Sequence, residues 1–350
     1  MTRLLLPLPL VLIAALLTEG CSTRGADRSP PPPPPSSGAG PFRPVRPAEL
    51  GNETGHLLEA PDTTVQSGMI AGDHLFYAAG TPAAIHRSGP APLPPYGPGP
   101  VTLEASEPWE GEEVFDPWAV VLEDGRTRLY YAGSEGIGLA EAPAPDGAFT
   151  RTGQLLAGDP AVRGGAVPRR PTVVPRDGGG WLLYYEVGDA IAVAQSEDGA
   201  SFTHDRVIDL ELPEEAQTVP EVAVGAPGAV VAITPVGRRV TRLYFTSERD
   251  DGTRVLGFAA SLDGLAFERS LVPPVQSGNP DFAAPLLLED PVTLLLYTAD
   301  EGEGPDAGVV DAGAPDGAVA DGGMSDAGAP APSPMRALVG GIAPATAELR

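Results

Sequence analysis

A repeated pattern of short β-type runs constrains this chain more than any other feature. Its clearest copy spans residues 169–202, where three such runs are joined by turns rich in Gly and Asp. This arrangement predicts a small antiparallel meander. Related aromatic-aliphatic runs end near Tyr77, Tyr131, Tyr244 and Tyr297, and the opening prolines at positions 117, 171, 220 and 280 are 54, 49 and 60 residues apart.

Five copies of roughly 50 residues predict an all-β, five-bladed β-propeller with about four strands in each blade. The spacing supports a common register, because 15 positions separate Asp62 from Tyr77, Asp116 from Tyr131 and Arg170 from Tyr185. The alternative is a β-sandwich whose strands resemble one another by coincidence. The propeller is favoured because the turn and aromatic positions recur in the same order.

The N-terminal region is predicted to lie outside the fold. Residues 1–20 combine Arg3 with a short apolar run, which is typical of a secretory signal peptide. Cys21, the only cysteine, follows Gly20 and resembles the lipidation site of bacterial lipoproteins. The alternative is an ordinary secreted protein with a stray cysteine. Residues 21–53 are rich in Pro, Ser and Gly and predict a disordered tether, so the protein is expected at the bacterial cell envelope, lipid-anchored at the outer membrane or cell surface.

The propeller domain is predicted to span residues 54–350, with an insert in its last blade. Residues 301–335 repeat Asp among Ala and Gly without a single base, a composition that predicts disorder. Residues 337–343 resemble the third strand of the other units and place the insert within the fifth blade. Residues 55–60 are expected to supply the missing outer strand, so that the two ends of the domain pair.

Composition excludes several classes of function. The formal net charge is −25 and all 22 basic residues are Arg, which argues against a nucleic-acid partner. The four His are not spaced as a metal site, and the chain has no nucleophile elbow and no P-loop. We therefore expect no metal, no cofactor, a monomer, and a membrane contact through the lipid anchor only.

The residues that open the innermost strands are the candidate functional residues, because those strand ends face a common funnel. The register places Asp62, Asp116, Arg170, Glu221 and Asp281 there, and acids gathered in this way perturb one another's pKa values. Glycosidic bond hydrolysis uses such a pair of carboxyl groups. Trp118 and Phe282 lie next to these openings and are suited to stacking on a sugar.

Two sequence motifs, Phe115-Asp116-Pro117 and residues 196–202, resemble those of five-bladed propeller glycosidases of glycoside hydrolase families 43, 32 and 68. The resemblance covers roughly residues 54–300 and 336–345 and implies a carbohydrate ligand. It also implies Asp62, Asp116 and Glu221 as catalytic carboxylates. From their positions at or beside the blade openings, Trp118, Arg170, Asp281 and Phe282 are expected to bind substrate. The third blade departs from the family pattern, since it opens with Arg170 instead of an acid.

The sequence leaves three functions open. The first is a glycoside hydrolase, in particular one similar to family 43. The second is a catalytically inactive propeller that binds a glycan or a protein at the cell surface. The third is a purely structural envelope lipoprotein.

Overall fold

The computed structural model describes residues 42–44, 53, 56–58, 65–91, 95–233, 237–271, 274, 284–289, 292–298 and 335–340. Nearly all of the regular structure in these residues is β-strand, as the sequence predicts. Among them, no helix is long and apolar enough to cross a membrane.

The strands form five four-stranded antiparallel sheets, which we call blades. Blade 1 contains β2 (Val65–Ala71), β3 (His74–Ala79), β4 (Ala84–Ser88) and β5 (Val101–Leu103). Blade 2 contains β6 (Phe115–Val121), β7 (Thr127–Gly133), β8 (Gly136–Ala142) and β9 (Thr150–Ala157). Blade 3 contains β10 (Arg169–Pro175), β11 (Trp181–Val187), β12 (Ala190–Ser196) and β13 (Thr203–Val207).

Blade 4 contains β14 (Glu221–Ile233), β15 (Arg239–Arg249), β16 (Arg254–Ser261) and β17 (Glu268–Arg269). The fifth sheet joins the two ends of the domain, in the order β1 (Phe42–Pro44), β20 (Met335–Gly340), β19 (Val292–Thr298) and β18 (Ala284–Glu289). Blades 1 to 4 are described with their side chains, and the fifth mainly through its backbone pairing. Three short 3₁₀ turns, Pro108–Glu110, Arg163–Gly165 and Glu214–Ala216, precede blades 2, 3 and 4.

The first strand of each sheet lies at the centre of the molecule. Strands β2, β6, β10, β14 and β18 contact one another in a closed circuit. The all-β propeller predicted from the repeats is therefore confirmed, with each blade running from the centre outwards.

Neighbouring blades are held together by one aromatic pair that repeats around the ring. An aromatic residue of the outer strand region packs edge-on against an aromatic residue of the second strand in the preceding blade, with ring centroids 5.7–6.1 Å apart. The pairs are Phe149 with Phe76, Phe202 with Tyr130, and Phe267 with Tyr184. The Phe that closes each sequence repeat is therefore an anchor between blades.

The Ser-x-Asp-Gly turn before this Phe also joins neighbouring blades. In blade 3, Oδ1 of Asp198 accepts hydrogen bonds from the Ser196 hydroxyl and from the backbone N–H groups of Ala200 and Ser201. The carbonyl of Gly199 then accepts a 2.7 Å hydrogen bond from the Tyr130 hydroxyl of blade 2. Blade 4 repeats this contact between Gly264 and Tyr184. The sequence analysis identified the turn, and the structure adds its partner.

The segment that completes the fifth sheet differs from the one expected. Residues 55–60 do not supply its outer strand: Leu57 and Leu58 are buried against blade 1, and Leu58 forms an isolated bridge with Tyr96. Strand β1 supplies it instead, from within residues 21–53, which the sequence analysis interpreted as tether. Phe42 packs against Tyr244 at 6.0 Å and thus repeats the aromatic pair of the other blades. The predicted third strand near residue 337 is confirmed as β20, while the insert at 301–335 lies outside the described residues.

Candidate binding site in the central channel

Three innermost strands contain the same backbone irregularity. Asp116, Arg170 and Ala226 all have positive φ angles, of 52°, 51° and 48°, and each is followed by Pro. In each case the pairing with the second strand shifts at this point, which marks a β-bulge. A positive φ is strained for a residue other than Gly, and such bulges commonly aim side chains at functional sites.

This register corrects the assignment in blade 4. Ala226, not Glu221, occupies the position equivalent to Asp116 and Arg170, because Gly228 pairs with Tyr244 just as Trp118 pairs with Tyr130. The hairpin formed by the first two strands is longer in blade 4 than in blades 2 and 3. Because of this extra length, the repeat spacing in the sequence pointed to Glu221 instead. The third and fourth blades thus present Arg and Ala at the centre, where the family resemblance implies carboxylates.

Glu221 is instead part of a buried ion pair away from the central bulges. Its two carboxylate oxygens accept hydrogen bonds of 2.7 and 2.6 Å from the Arg269 guanidinium, and the Ser247 hydroxyl also donates to it. The Glu221 and Arg269 side chains are only 12% and 8% exposed. A carboxylate engaged in this way stabilises the blade and is not free to transfer a proton to a substrate.

The central bulges gather a charged cluster made of Asp116, Arg170 and Glu186. Glu186, at the end of β11, accepts a 2.8 Å hydrogen bond from the backbone N–H of Ala226. The same oxygen lies 3.6 Å from Nη1 of Arg170. The backbone N–H of Asp116 donates to the Ser67 hydroxyl of blade 1 at 3.1 Å. Four blades therefore contribute to one polar site, which we call the channel cluster.

The protonation of Asp116 follows from this setting. Burial raises the pKa of the Asp116 carboxyl, the positive charge of Arg170 lowers it, and the negative charge of Glu186 raises it again. The net effect is a raised pKa. A carboxyl that holds its proton more readily than usual can donate a hydrogen bond to a ligand oxygen.

Glu186 was missed by the sequence analysis. It directly follows the Tyr184-Tyr185 pair on the second strand, and only first-strand residues were considered for the channel. Its signal was local: an acid near the end of an otherwise apolar strand run. An isolated acid within a core strand is uncommon unless it is paired, as Glu186 is here.

The structure also contradicts the prediction that Trp118 of blade 2 stacks on a sugar. Trp118 is 7% exposed, and its indole N–H donates a 3.0 Å hydrogen bond to the carbonyl of Val173 in blade 3. It packs between two blades and presents no face to a ligand. Arg170, by contrast, lies in the channel cluster as predicted.

The remaining predicted residues are untested. Asp62, Asp281, Phe282 and Cys21 lie outside the described residues, so their roles stay predictions. Within the described part of the chain, no group of three or more His, Cys, Asp or Glu residues is placed to hold a metal ion.

Comparison with known proteins identifies the fold. No protein-family model and no curated protein sequence matches the chain. Among solved structures, an endo-arabinase of Bacteroides thetaiotaomicron is 15% identical with a TM-score of 0.52, covering 69% of this chain and 91% of its own. An endo-1,4-β-xylanase of the same organism is 15% identical with a TM-score of 0.53, covering 69% and 88%. A β-xylosidase named RS223 is 13% identical with a TM-score of 0.51, covering 81% and 93%.

These similarities confirm the resemblance at the level of the fold, which is a glycosidase-like propeller. Sequence identities this low carry no residue roles from those enzymes to this chain. The site chemistry must therefore be argued from the channel cluster itself.

Proposed function

We propose that this protein is a glycan-binding propeller that holds a carbohydrate at its channel cluster and does not hydrolyse it. The observation that carries the proposal is the set of residues at the three central bulges. The three bulges carry one acid, one arginine and one alanine, so they do not by themselves supply the pair of carboxyl groups that hydrolysis requires. Fold similarity to polysaccharide-degrading enzymes supports a carbohydrate ligand.

The channel cluster suits sugar hydroxyl groups. Asp116 with its raised pKa donates a hydrogen bond when protonated, Glu186 accepts hydrogen bonds, and the Arg170 guanidinium donates them. A hydroxyl group both donates and accepts, so a mixed set of this kind can satisfy it from two sides.

The test is binding to arabinan, xylan and fructan, measured by calorimetry on the full-length chain, with hydrolysis followed in parallel. We expect binding without release of reducing sugar. Asp116→Ala and Glu186→Gln should each weaken binding by about tenfold, the cost of one hydrogen bond. Glu135→Gln, which alters an exposed acid in the turn between β7 and β8, is the matched control and should bind normally. Absence of binding to every glycan would overturn the proposal.

Hydrolysis is the second candidate, favoured by one observation. Asp116 has a raised pKa and Glu186 lies beside Arg170, so the channel cluster brings together two carboxyl groups in different surroundings. Turnover of any glycan or aryl glycoside that is lost in both Asp116→Asn and Glu186→Gln, but kept in Glu135→Gln, would establish this alternative.

The cellular location remains a proposal based on residues 1–21. We propose that Cys21 carries a lipid that anchors the protein in the bacterial envelope. Labelled palmitate should be incorporated into the wild-type protein and not into Cys21→Ser. Equal labelling of both would show that Cys21 is not the acceptor.

A further inference from the structure

A second polar site lies at the periphery of the propeller, away from the channel cluster. It emerges when blades 2, 3 and 4 are compared at equivalent positions. In each blade, the outer strand places a basic side chain opposite an Ala of the third strand: Arg151 opposite Ala140, His204 opposite Ala194, and Arg269 opposite Ala259. His204 contacts Tyr185 of the second strand directly, and Arg269 contacts Phe245. Arg151 contacts Glu110, which in turn is the partner of Tyr131 on the second strand.

In blades 2 and 4 a carboxylate completes the arrangement. Glu110 of blade 2 is fully buried, and its Oε1 accepts hydrogen bonds from the Tyr131 hydroxyl at 2.6 Å and from Nε of Arg151 at 2.7 Å. In blade 4, Glu221 pairs with Arg269, whose guanidinium lies 4.9 Å above the Phe245 ring. We call this arrangement of carboxylate, base and aromatic residue the blade clamp.

Blade 3 has the base and the aromatic residue but lacks the carboxylate. Glu110 lies six residues before Asp116, and the residue six before Arg170 is Gly164. A Cβ built on Gly164 would meet no atom within 4 Å. In place of the clamp is a cleft of about 250 Å³ between blades 2 and 3. Tyr185 and His204 line its polar side, and Leu155, Val162 and Phe202 contribute apolar surface.

We propose that this cleft binds a small organic acid, whose carboxylate takes the place that Glu110 occupies in blade 2. The apolar surface would hold the body of the ligand. The Tyr185 hydroxyl and the His204 imidazole would hold the carboxylate, as Tyr131 and Arg151 hold Glu110. The contacts of Glu110 in blade 2 thus show which chemical group these positions accept.

The hydrogen bond between the Tyr185 hydroxyl and Nδ1 of His204 is 2.6 Å long, and the position of its proton decides which group can donate to a ligand. When Nδ1 carries a proton it donates to the Tyr185 oxygen, and the Tyr185 O–H is then free to donate to a ligand, as Tyr131 does to Glu110. The imidazolium also supplies the positive charge that Arg151 supplies in blade 2. Binding of an acid should therefore strengthen as the imidazole is protonated.

The other charged groups around the cleft are one acid, Asp159, and two ion pairs. Asp159, the remaining titratable residue of its lining, caps its own turn by accepting the Ala161 N–H at 2.8 Å. Its negative charge contributes to the raised pKa of Tyr185, after the larger effect of burial, and it would oppose an anion. Nearby, Asp205 pairs with Arg206, and Arg163 lies 3.3 Å from Asp189.

The experiment is calorimetric titration of the full-length chain with benzoate, benzamide and benzylamine, which share a ring and differ in charge. We expect benzoate to bind at least about tenfold more tightly than benzamide, the difference one charged hydrogen bond makes. Benzoate should also bind more tightly at about pH 5.5 than at about pH 8. Tighter binding of benzylamine, equal binding of benzamide, or binding of no probe would overturn the proposal.

Variants separate this site from a general effect of charge. Tyr185→Phe should fold, since Phe245 occupies the same position in blade 4, and should weaken benzoate binding. His204→Gln should weaken it and remove its pH dependence, whereas Asp159→Asn should strengthen it. Arg206→Gln, an exposed base two residues from His204, is the matched control and should leave binding unchanged. Unaltered binding in both Tyr185→Phe and His204→Gln would place the ligand elsewhere.

Discussion

At the scale of single residues, the carboxylates of this protein have two distinct roles. Glu110 and Glu221 are buried in ion pairs that stabilise individual blades. Asp116 and Glu186 lie in the channel cluster, where burial and the neighbouring charges together raise the pKa of Asp116. Residue type and position near a strand opening did not distinguish these roles. The distinction depends on which Arg side chain each carboxylate contacts in the folded protein.

Glu110 provides a test of the structural role. Burial alone would raise its pKa, but hydrogen bonds from Arg151, Tyr131 and two backbone N–H groups outweigh burial and lower it. Glu110→Gln leaves Arg151 without its ion-pair partner and should lower the free energy of unfolding at pH 7 by about 2–4 kcal/mol. Urea denaturation measures the change.

The pH dependence of this effect has a definite sign. Because folding lowers the pKa of Glu110, its contribution is present above the ordinary value of 4.5 and is lost as pH falls through the lower, folded-state pKa. The difference between wild type and Glu110→Gln should therefore shrink in acid. The exposed Glu135→Gln should behave as wild type throughout, and a difference for Glu110→Gln that does not shrink as the pH is lowered would contradict the assignment.

At the scale of structural elements, the strands and turns follow local sequence closely. Alternating apolar residues and Asp-Gly turns predict the meanders, and the structure contains them at the expected positions. The partner of each turn is not local, because the Ser-x-Asp-Gly turn of one blade packs on the second strand of the preceding one.

Two glycines separate the local role of a turn from its contact with the neighbouring blade. Gly199 and Gly178 both have positive φ angles, of 71° and 81°. A Cβ on Gly199 would lie 2.5 Å from Nη1 of Arg128 and 2.9 Å from Cδ1 of Trp181, whereas one on Gly178 would meet nothing within 4 Å.

Substitution of each glycine by Ala should therefore have unequal effects. Gly178→Ala should cost about 1–2 kcal/mol, the price of the left-handed backbone conformation alone. Gly199→Ala should cost about 2–4 kcal/mol, because a clash at the blade interface adds to the same backbone cost. Equal shifts in the urea midpoint would show that the turn does not support the interface.

At the scale of the whole molecule, the ring closes through the two ends of the domain. The sequence analysis predicted closure of this kind but chose residues 55–60, whereas β1 at residues 42–44 pairs with β20. Phe42 repeats the role of Phe149, Phe202 and Phe267, although no Asp-Gly turn precedes it to mark the repeat.

Phe42→Ala tests this closure. Loss of its packing on Tyr244 should lower the free energy of unfolding by about 2–3 kcal/mol, somewhat less than for a fully buried Phe. Val222→Ala, at a half-exposed position in β14, is the control and should change stability by less than about 0.5 kcal/mol. Unchanged stability of Phe42→Ala would show that β1 does not hold the ring closed.

The sequence by itself determined the β-propeller, the turn chemistry, the position of β20 and the placement of Asp116 and Arg170. These features depend on the alternation of side chains and on residues such as Gly and Pro, which act over a few positions. Only the tertiary structure decided that Ala226 replaces Glu221 at the centre, that Glu186 joins the channel cluster and that Trp118 is buried between blades. Those outcomes depend on hairpin length and on contacts between blades far apart in sequence, which a repeating local pattern does not encode.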